Sequence, residues 1–142
     1  MCGIVGLLVK KPALREQLGK LMVPMLIGMT DRGPDSAGLA VFADPLKGTA
    51  RKLSLYSGMT EAGADFDWHG LAHGLKEHLG VPSKIDSKHN HAVLTFDVSP
   101  DIVKKWLHEH YPLLHILSTG QTIDLYKDIG TPSMVANRYD FA

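Results

Sequence analysis

Cys2 is the residue of this chain best placed by type and position to do covalent chemistry. Removal of Met1, which a small second residue generally permits, leaves Cys2 carrying the free α-amino group. That amine titrates at about 7.7–8.0, so a useful part of it is unprotonated near neutrality. It lies within reach of its own thiol and can act as the local base, as the N-terminal amine does for a threonine nucleophile. The thiolate is the reactive form, and an adjacent base supplies it. Taken alone, Cys2 reads more readily as a small hydrophobe at the head of an apolar strand.

A second cluster changes the weight of the first. Arg32-Gly33-Pro34-Asp35-Ser36-Ala37-Gly38 is a dense turn in which Gly33 and Gly38 permit close backbone approach and Pro34 restricts φ. Arg32 and Asp35 bracket it with opposite charges. By itself this is a well-made connection between a helix and a strand. Paired with an N-terminal Cys2-Gly3-Ile4-Val5-Gly6 it is much harder to obtain by chance.

Together these two segments resemble the opening of the class II glutamine amidotransferases. These carry an N-terminal-nucleophile (Ntn) glutaminase domain, found also in glucosamine-6-phosphate synthase, asparagine synthetase and glutamate synthase. The run from Met29 to Ala40 is most similar to the stand-alone glutaminase subunits of glutamate-synthase-like and N-methylglutamate-synthase systems. Leu125-Tyr126-Lys127-Asp128-Ile129-Gly130 looks like part of the insertion those subunits carry.

The resemblance implies a mechanism and partners. Cys2 would attack the side-chain amide of L-glutamine, with its α-amine moving the proton, and a γ-glutamyl thioester would form and hydrolyse. Gly3, Arg32, Gly33, Asp35 and Ser36 would support the site, Arg32 organising the loop beside the nucleophile. No cofactor and no metal is implied. The ammonia would pass to synthase subunits, flavin-dependent glutamate-synthase-like ones among them, within an oligomer or hetero-complex. The implied fold is α+β, the N-terminal part of an Ntn-hydrolase αββα glutaminase fold with an inserted α/β subdomain.

The departures are as informative. In this family a Gly-His-Thr-Arg-x-Ala-Thr-like run holds the glutamine carboxylate, and an Asn-Gly pair forms the oxyanion hole. Neither is present here, and Arg138 in Asn137-Arg138-Tyr139-Asp140 is not a match. Loss of one oxyanion donor alone costs about 10²- to 10³-fold in rate. The expectation is therefore the front portion of a longer glutaminase, inactive as these 142 residues. The alternative from another class is a non-catalytic assembly or regulatory module of a synthase complex, derived from a glutaminase.

Other patterns carry less. His69 and His73 are four apart, and His89/His91 and His108/His110 alternate, but a zinc site needs three or four ligands with support around them. Surface histidines account for all eight. Lys10-Lys11 and Lys104-Lys105 are too short for a nucleic-acid patch. Lys plus Arg and Asp plus Glu are 15 each, which leaves no bulk field to grip nucleic acid or an anionic membrane. With 44% hydrophobic and 21% charged residues the composition is globular, and one cysteine excludes an intrachain disulfide. No apolar run approaches the roughly 20 residues that span a bilayer, and the start lacks a basic signal region, so the expected compartment is the cytoplasm.

The positioning elements follow from periodicity. Residues 3–9 read as a buried strand. Leu14, Leu18, Leu21, Met25 and Met29 make a helical stripe that Pro24 should kink or split. Residues 37–42 return to strand, the loosened stretch 43–63 holds a short strand at 52–57, and 69–79 is a helix with Leu71, Leu75 and Leu79 on one face. A strand is expected at 91–98. Ser99 and Pro100 should start a helix burying Ile102, Val103, Trp106 and Leu107. Residues 113–118 and 122–126 read as a hairpin, and Thr131-Pro132 opens a last short helix. The expected organisation is 1–49 as the start of the glutaminase core, 50–130 as an inserted α+β subdomain, and 131–142 as a short helix leading to a missing remainder.

Overall fold

A computed structural model describes residues 2–58 and 65–142. Among these are four α-helices and six strands in two sheets, a mixed α+β chain. Met1 and the residues around Gly63 in the loosened stretch lie outside the described residues. Two compact units are present, one of residues 1–38 and 127–142, the other of residues 39–126. No helix among the described residues is long and apolar enough to cross a membrane.

In the unit of residues 39–126, strands β2 (Arg51–Tyr56), β3 (Ser83–Lys88), β4 (His91–Phe96) and β5 (His115–Gly120) form an antiparallel sheet in the order β3-β4-β2-β5. Helices α2 (Trp68–Leu79) and α3 (Pro100–His110) contribute Trp68, Leu71, Leu75, Val103, Trp106 and Leu107 to its core. Strand alternation sends Leu53 and Leu55 into that core, and Lys52 and Ser54 to the opposite face. Each fully buried leucine stabilises the fold by about 1.5–3 kcal/mol. The Asp67 side chain accepts from the Gly70 N–H at 2.9 Å to start α2, and Gly80, at φ 66°, ends it.

Several expectations need correction here. Ile102 is 51% exposed, because Val103, Trp106 and Leu107 already define the buried stripe and Ile102 lies on its flank. Leu79, the last residue of α2, is also exposed. Ser99 occupies the N-cap position of α3 without a side-chain cap bond. Strand β3 escapes a periodicity search because an edge strand carrying Lys84, Asp86 and Lys88 has only Ile85 to mark its inner face. The expected hairpin does not form: β5 pairs with β2, whereas β6 (Ile123–Ile129) pairs with β1 (Ser36–Phe42) in a separate two-stranded sheet. The Thr122 carbonyl accepts from Ala43 N–H at 2.8 Å, and the Leu125 N–H donates to Ser54 Oγ at 2.9 Å, so β6 leaves the β5 edge immediately.

In the unit of residues 1–38 and 127–142, a 3₁₀ helix (Pro12–Gln17) precedes α1 (Leu18–Ile27), and α4 (Pro132–Arg138) follows β6. The helical stripe is interrupted at Gln17 and runs on through Pro24. Proline at 24 removes one donor, while its own carbonyl still accepts from Gly28 N–H at 3.0 Å. Residues 3–9 are not a strand. They alternate in exposure as an extended chain does, but pair with no strand among the described residues, and a strand without ladder partners leaves its backbone groups to water. Ile4 is 94% exposed there. Most of the buried residues of this unit lie in or next to α4, at Pro132, Val135, Ala136 and Tyr139, with Asp128 of β6 and Ala37 of β1 also buried.

Candidate functional site

The turn that follows α1 is built on the Met29 carbonyl, which accepts from Arg32 N–H at 2.9 Å and Gly33 N–H at 3.2 Å. The Thr30 hydroxyl donates back to the Ile27 carbonyl at 2.5 Å. Gly3 lies against this turn: a Cβ on residue 3 would stand 2.8 Å from Arg32 Cβ and 3.1 Å from Met29 Sδ. Glycine is what lets the backbone next to Cys2 approach so closely. Cys2 itself is a free, exposed cysteine.

The structure thus brings Gly3 and Arg32 together, with Cys2 attached by chain continuity. Gly33 closes the 3₁₀ turn Thr30–Arg32. Ser36 opens β1 and is exposed, as is Asp35. Asp35 is engaged through its carbonyl, which accepts from Gly130 N–H at 2.9 Å. Gly130 has a φ of 130°, a backbone region that favours glycine.

Two residues before Gly130 is a charge cluster that sequence reasoning missed. The Asp128 side chain is fully buried. Its Oδ2 accepts from Arg138 at 2.6 Å and from the Tyr139 hydroxyl at 2.5 Å, and its Oδ1 accepts from Ile129 N–H at 2.8 Å. Burial and the bond to Asp128 hold the Tyr139 hydroxyl well above the usual tyrosine pKa. The bond to Asp128 also raises Arg138. A buried carboxylate needs such partners. No sequence spacing announces it: Asp128 and Arg138 meet because β6 and α4 fold back on each other. Arg138 therefore ties down this carboxylate, a role different from binding a substrate carboxylate.

In the unit of residues 39–126 the polar face of the sheet holds an ion pair of Lys52 with Asp124 at 2.6 Å. The reading of all eight histidines as surface residues does not hold for His91, which is 1% exposed. Its ring stacks on Tyr56 and packs near Tyr126, with Nδ1 3.1 Å from Asn90 Oδ1. The register that sets His91 opposite Tyr56 places it on this covered face. Burial, then the charges of Asp124 and Asp86, raise the Tyr126 pKa. Among the described residues no group of three or more His, Cys, Asp or Glu side chains is placed to hold a metal ion.

The chemistry available in the unit of residues 1–38 and 127–142 is nucleophilic: a free thiol at the second residue, next to a glycine packed on an arginine-bearing turn. The chain is 40% identical over 141 residues to the glutamine amidotransferase-like protein GlxB of Rhizobium meliloti (strain 1021). The match takes in 99% of this chain, which spans 45% of that relative's length. No protein-family model matches the chain, and no solved structure does.

Proposed function

We propose that this chain is part of a class II, Ntn-type glutamine amidotransferase that releases ammonia from L-glutamine through Cys2. The observation that carries the reading is the likeness, along nearly the whole chain, to a protein named glutamine amidotransferase-like. The free, exposed Cys2 beside the Gly3–Arg32 contact supports it.

In this mechanism the Cys2 α-amine takes the thiol proton and the thiolate attacks the γ-carboxamide carbon of glutamine. The tetrahedral adduct collapses with its C–N bond broken. The proton held by the amine goes to the leaving nitrogen, giving ammonia and a γ-glutamyl thioester. Water then attacks the thioester carbonyl, releasing glutamate and restoring the thiol. Dividing one difficult displacement into two is the advantage of the covalent intermediate. Gly3, Arg32, Gly33, Asp35 and Ser36 shape the turn beside the nucleophile. The ammonia passes to a synthase subunit, as in glutamate-synthase-like complexes, and the chain works in the cytoplasm.

These 142 residues contain neither the Thr-Arg-x-Ala run nor the Asn-Gly pair of the class II family. As this piece, the chain presents the nucleophile without its substrate clamps and turns over no glutamine. The organisation proposed is a glutaminase-core start at 1–49, an inserted subdomain at 50–130 and a connecting helix at 131–142.

The test is intact mass spectrometry with and without a glutamine-mimicking diazo-ketone that alkylates amidotransferase cysteines. Loss of Met1 together with a slow single adduct, absent in Cys2→Ala, is the expected result. Retention of Met1 in natively produced protein, which blocks the α-amine, would sink the mechanism.

A further inference from the structure

Helix α1 has an unusual relation between sequence and burial. Leu18, Leu21, Met22, Val23, Met25, Leu26 and Ile27 make it apolar around most of its circumference, yet none of its residues is buried. A helix that is hydrophobic on nearly every side belongs inside a core. Leu21 and Ile27 of the helix are 39% and 40% exposed, and in the same unit Ile4 is 94%, Leu8 81% and Met134 53% exposed. From Cys2 to Val9 there is no charged side chain, and α1 carries only Lys20. Exposed apolar surface on this scale marks an interaction site.

The length relation says what covers it. This chain aligns almost end to end with a relative of which it spans 45%, so most of that relative lies outside the match. We infer that the apolar surface formed by α1, the extended segment 2–9 and Met134 of α4 is the docking face for a polypeptide equivalent to the part of the relative outside the match. The partner must present a largely apolar layer, because the face offers few charges to pair with. An interface of this character resembles a domain core cut in two, as obligate interfaces do. The inference goes beyond the proposed chemistry and does not depend on it.

The test mixes the full 142-residue chain with the separately produced portion of the GlxB relative outside the match. The expected result is a one-to-one complex by light scattering, with slowed hydrogen exchange over residues 18–27 and lowered binding of an apolar dye. Leu21→Glu with Ile27→Glu should weaken the complex about tenfold or more, because an unpaired charge would be buried. The free variant is checked by hydrogen exchange over residues 18–27, since Trp68 and Trp106 both lie in the unit of residues 39–126 and do not report on α1. If the two glutamates unfold α1, Ile4→Glu with Leu8→Glu serves instead, since segment 2–9 has no regular structure to lose. No complex at tens of micromolar, a complex that protects only residues 39–126, or self-association that covers the same face would each overturn the inference. A complex that forms while Cys2 stays inert to the diazo-ketone keeps the docking face and removes the amidotransferase reading.

Discussion

The Gly130 N–H donates to the Asp35 carbonyl at 2.9 Å, which ties the end of β6 to the turn that carries Arg32 and Gly33. Gly130 is itself placed by its neighbour Asp128, held from three directions by Arg138, Tyr139 and the Ile129 amide. The candidate site is thus supported by a buried carboxylate distant from it in sequence. That dependence makes the support testable apart from the chemistry.

Replacing Asp128 with Ala strands the Arg138 guanidinium and the Tyr139 hydroxyl. Arg138 is about one-third exposed and water can partly re-solvate it, so the expected loss is about 2–3 kcal/mol. Urea unfolding checks this, and hydrogen exchange should show the loss concentrated in residues 127–142. An unchanged midpoint would mean that the cluster contributes nothing to stability.

Tyr139→Phe removes one bond to Asp128 and should destabilise by about 1–2 kcal/mol. It should also alter the alkaline limb of the stability profile. The Tyr139 pKa is raised on folding, so the native state keeps its proton where the unfolded chain has lost it. The stabilisation is complete below the ordinary tyrosine pKa of 10.0 and falls as pH rises above it. The unfolding free energy, measured from pH 9 to pH 11 (about one unit to either side of the ordinary value), should fall less steeply in the variant above pH 10.

Gly3→Ala places a carbon 2.8 Å from Arg32 Cβ, a proximal atom that cannot swing away. Either the Cys2–Ile4 backbone or the 30–33 turn must move, at about 1–2 kcal/mol. The expected readout is faster hydrogen exchange at Arg32 and Gly33 and a lower yield of Cys2 adduct. Identical exchange and labelling would show that the close approach is unimportant.

Gly130→Ala tests the link to Asp35 directly. Alanine at a φ of 130° is strained by about 1–3 kcal/mol, although the space around Gly130 would otherwise accept a methyl group. Exchange at residue 130 should accelerate with little change in the 39–126 unit.

Leu75→Ala tests the separate core of that unit. Leu75 is fully buried among Trp68, Leu71 and Trp106, so the expected loss is about 2–5 kcal/mol, followed by tryptophan emission. Hydrogen exchange in α4 should hardly change.

The sequence by itself determined what local patterning can determine. Leu71 and Leu75, and Val103, Trp106 and Leu107, announce α2 and α3 because helical spacing places them on single faces, and both helices bury those faces. Thr131-Pro132 starts α4 as cap chemistry requires. The cysteine at position 2 and the Arg32–Gly38 turn are likewise visible as residue types. Tertiary structure decided the rest. Residues 3–9 read as a strand by composition, yet a strand exists only where another supplies its hydrogen bonds. The 113–126 stretch reads as a hairpin, but Ala43 captures the Thr122 carbonyl and sends β6 to pair with β1. His91 and Asp128 are buried by register and by the return of α4, and no local window of sequence contains those partners.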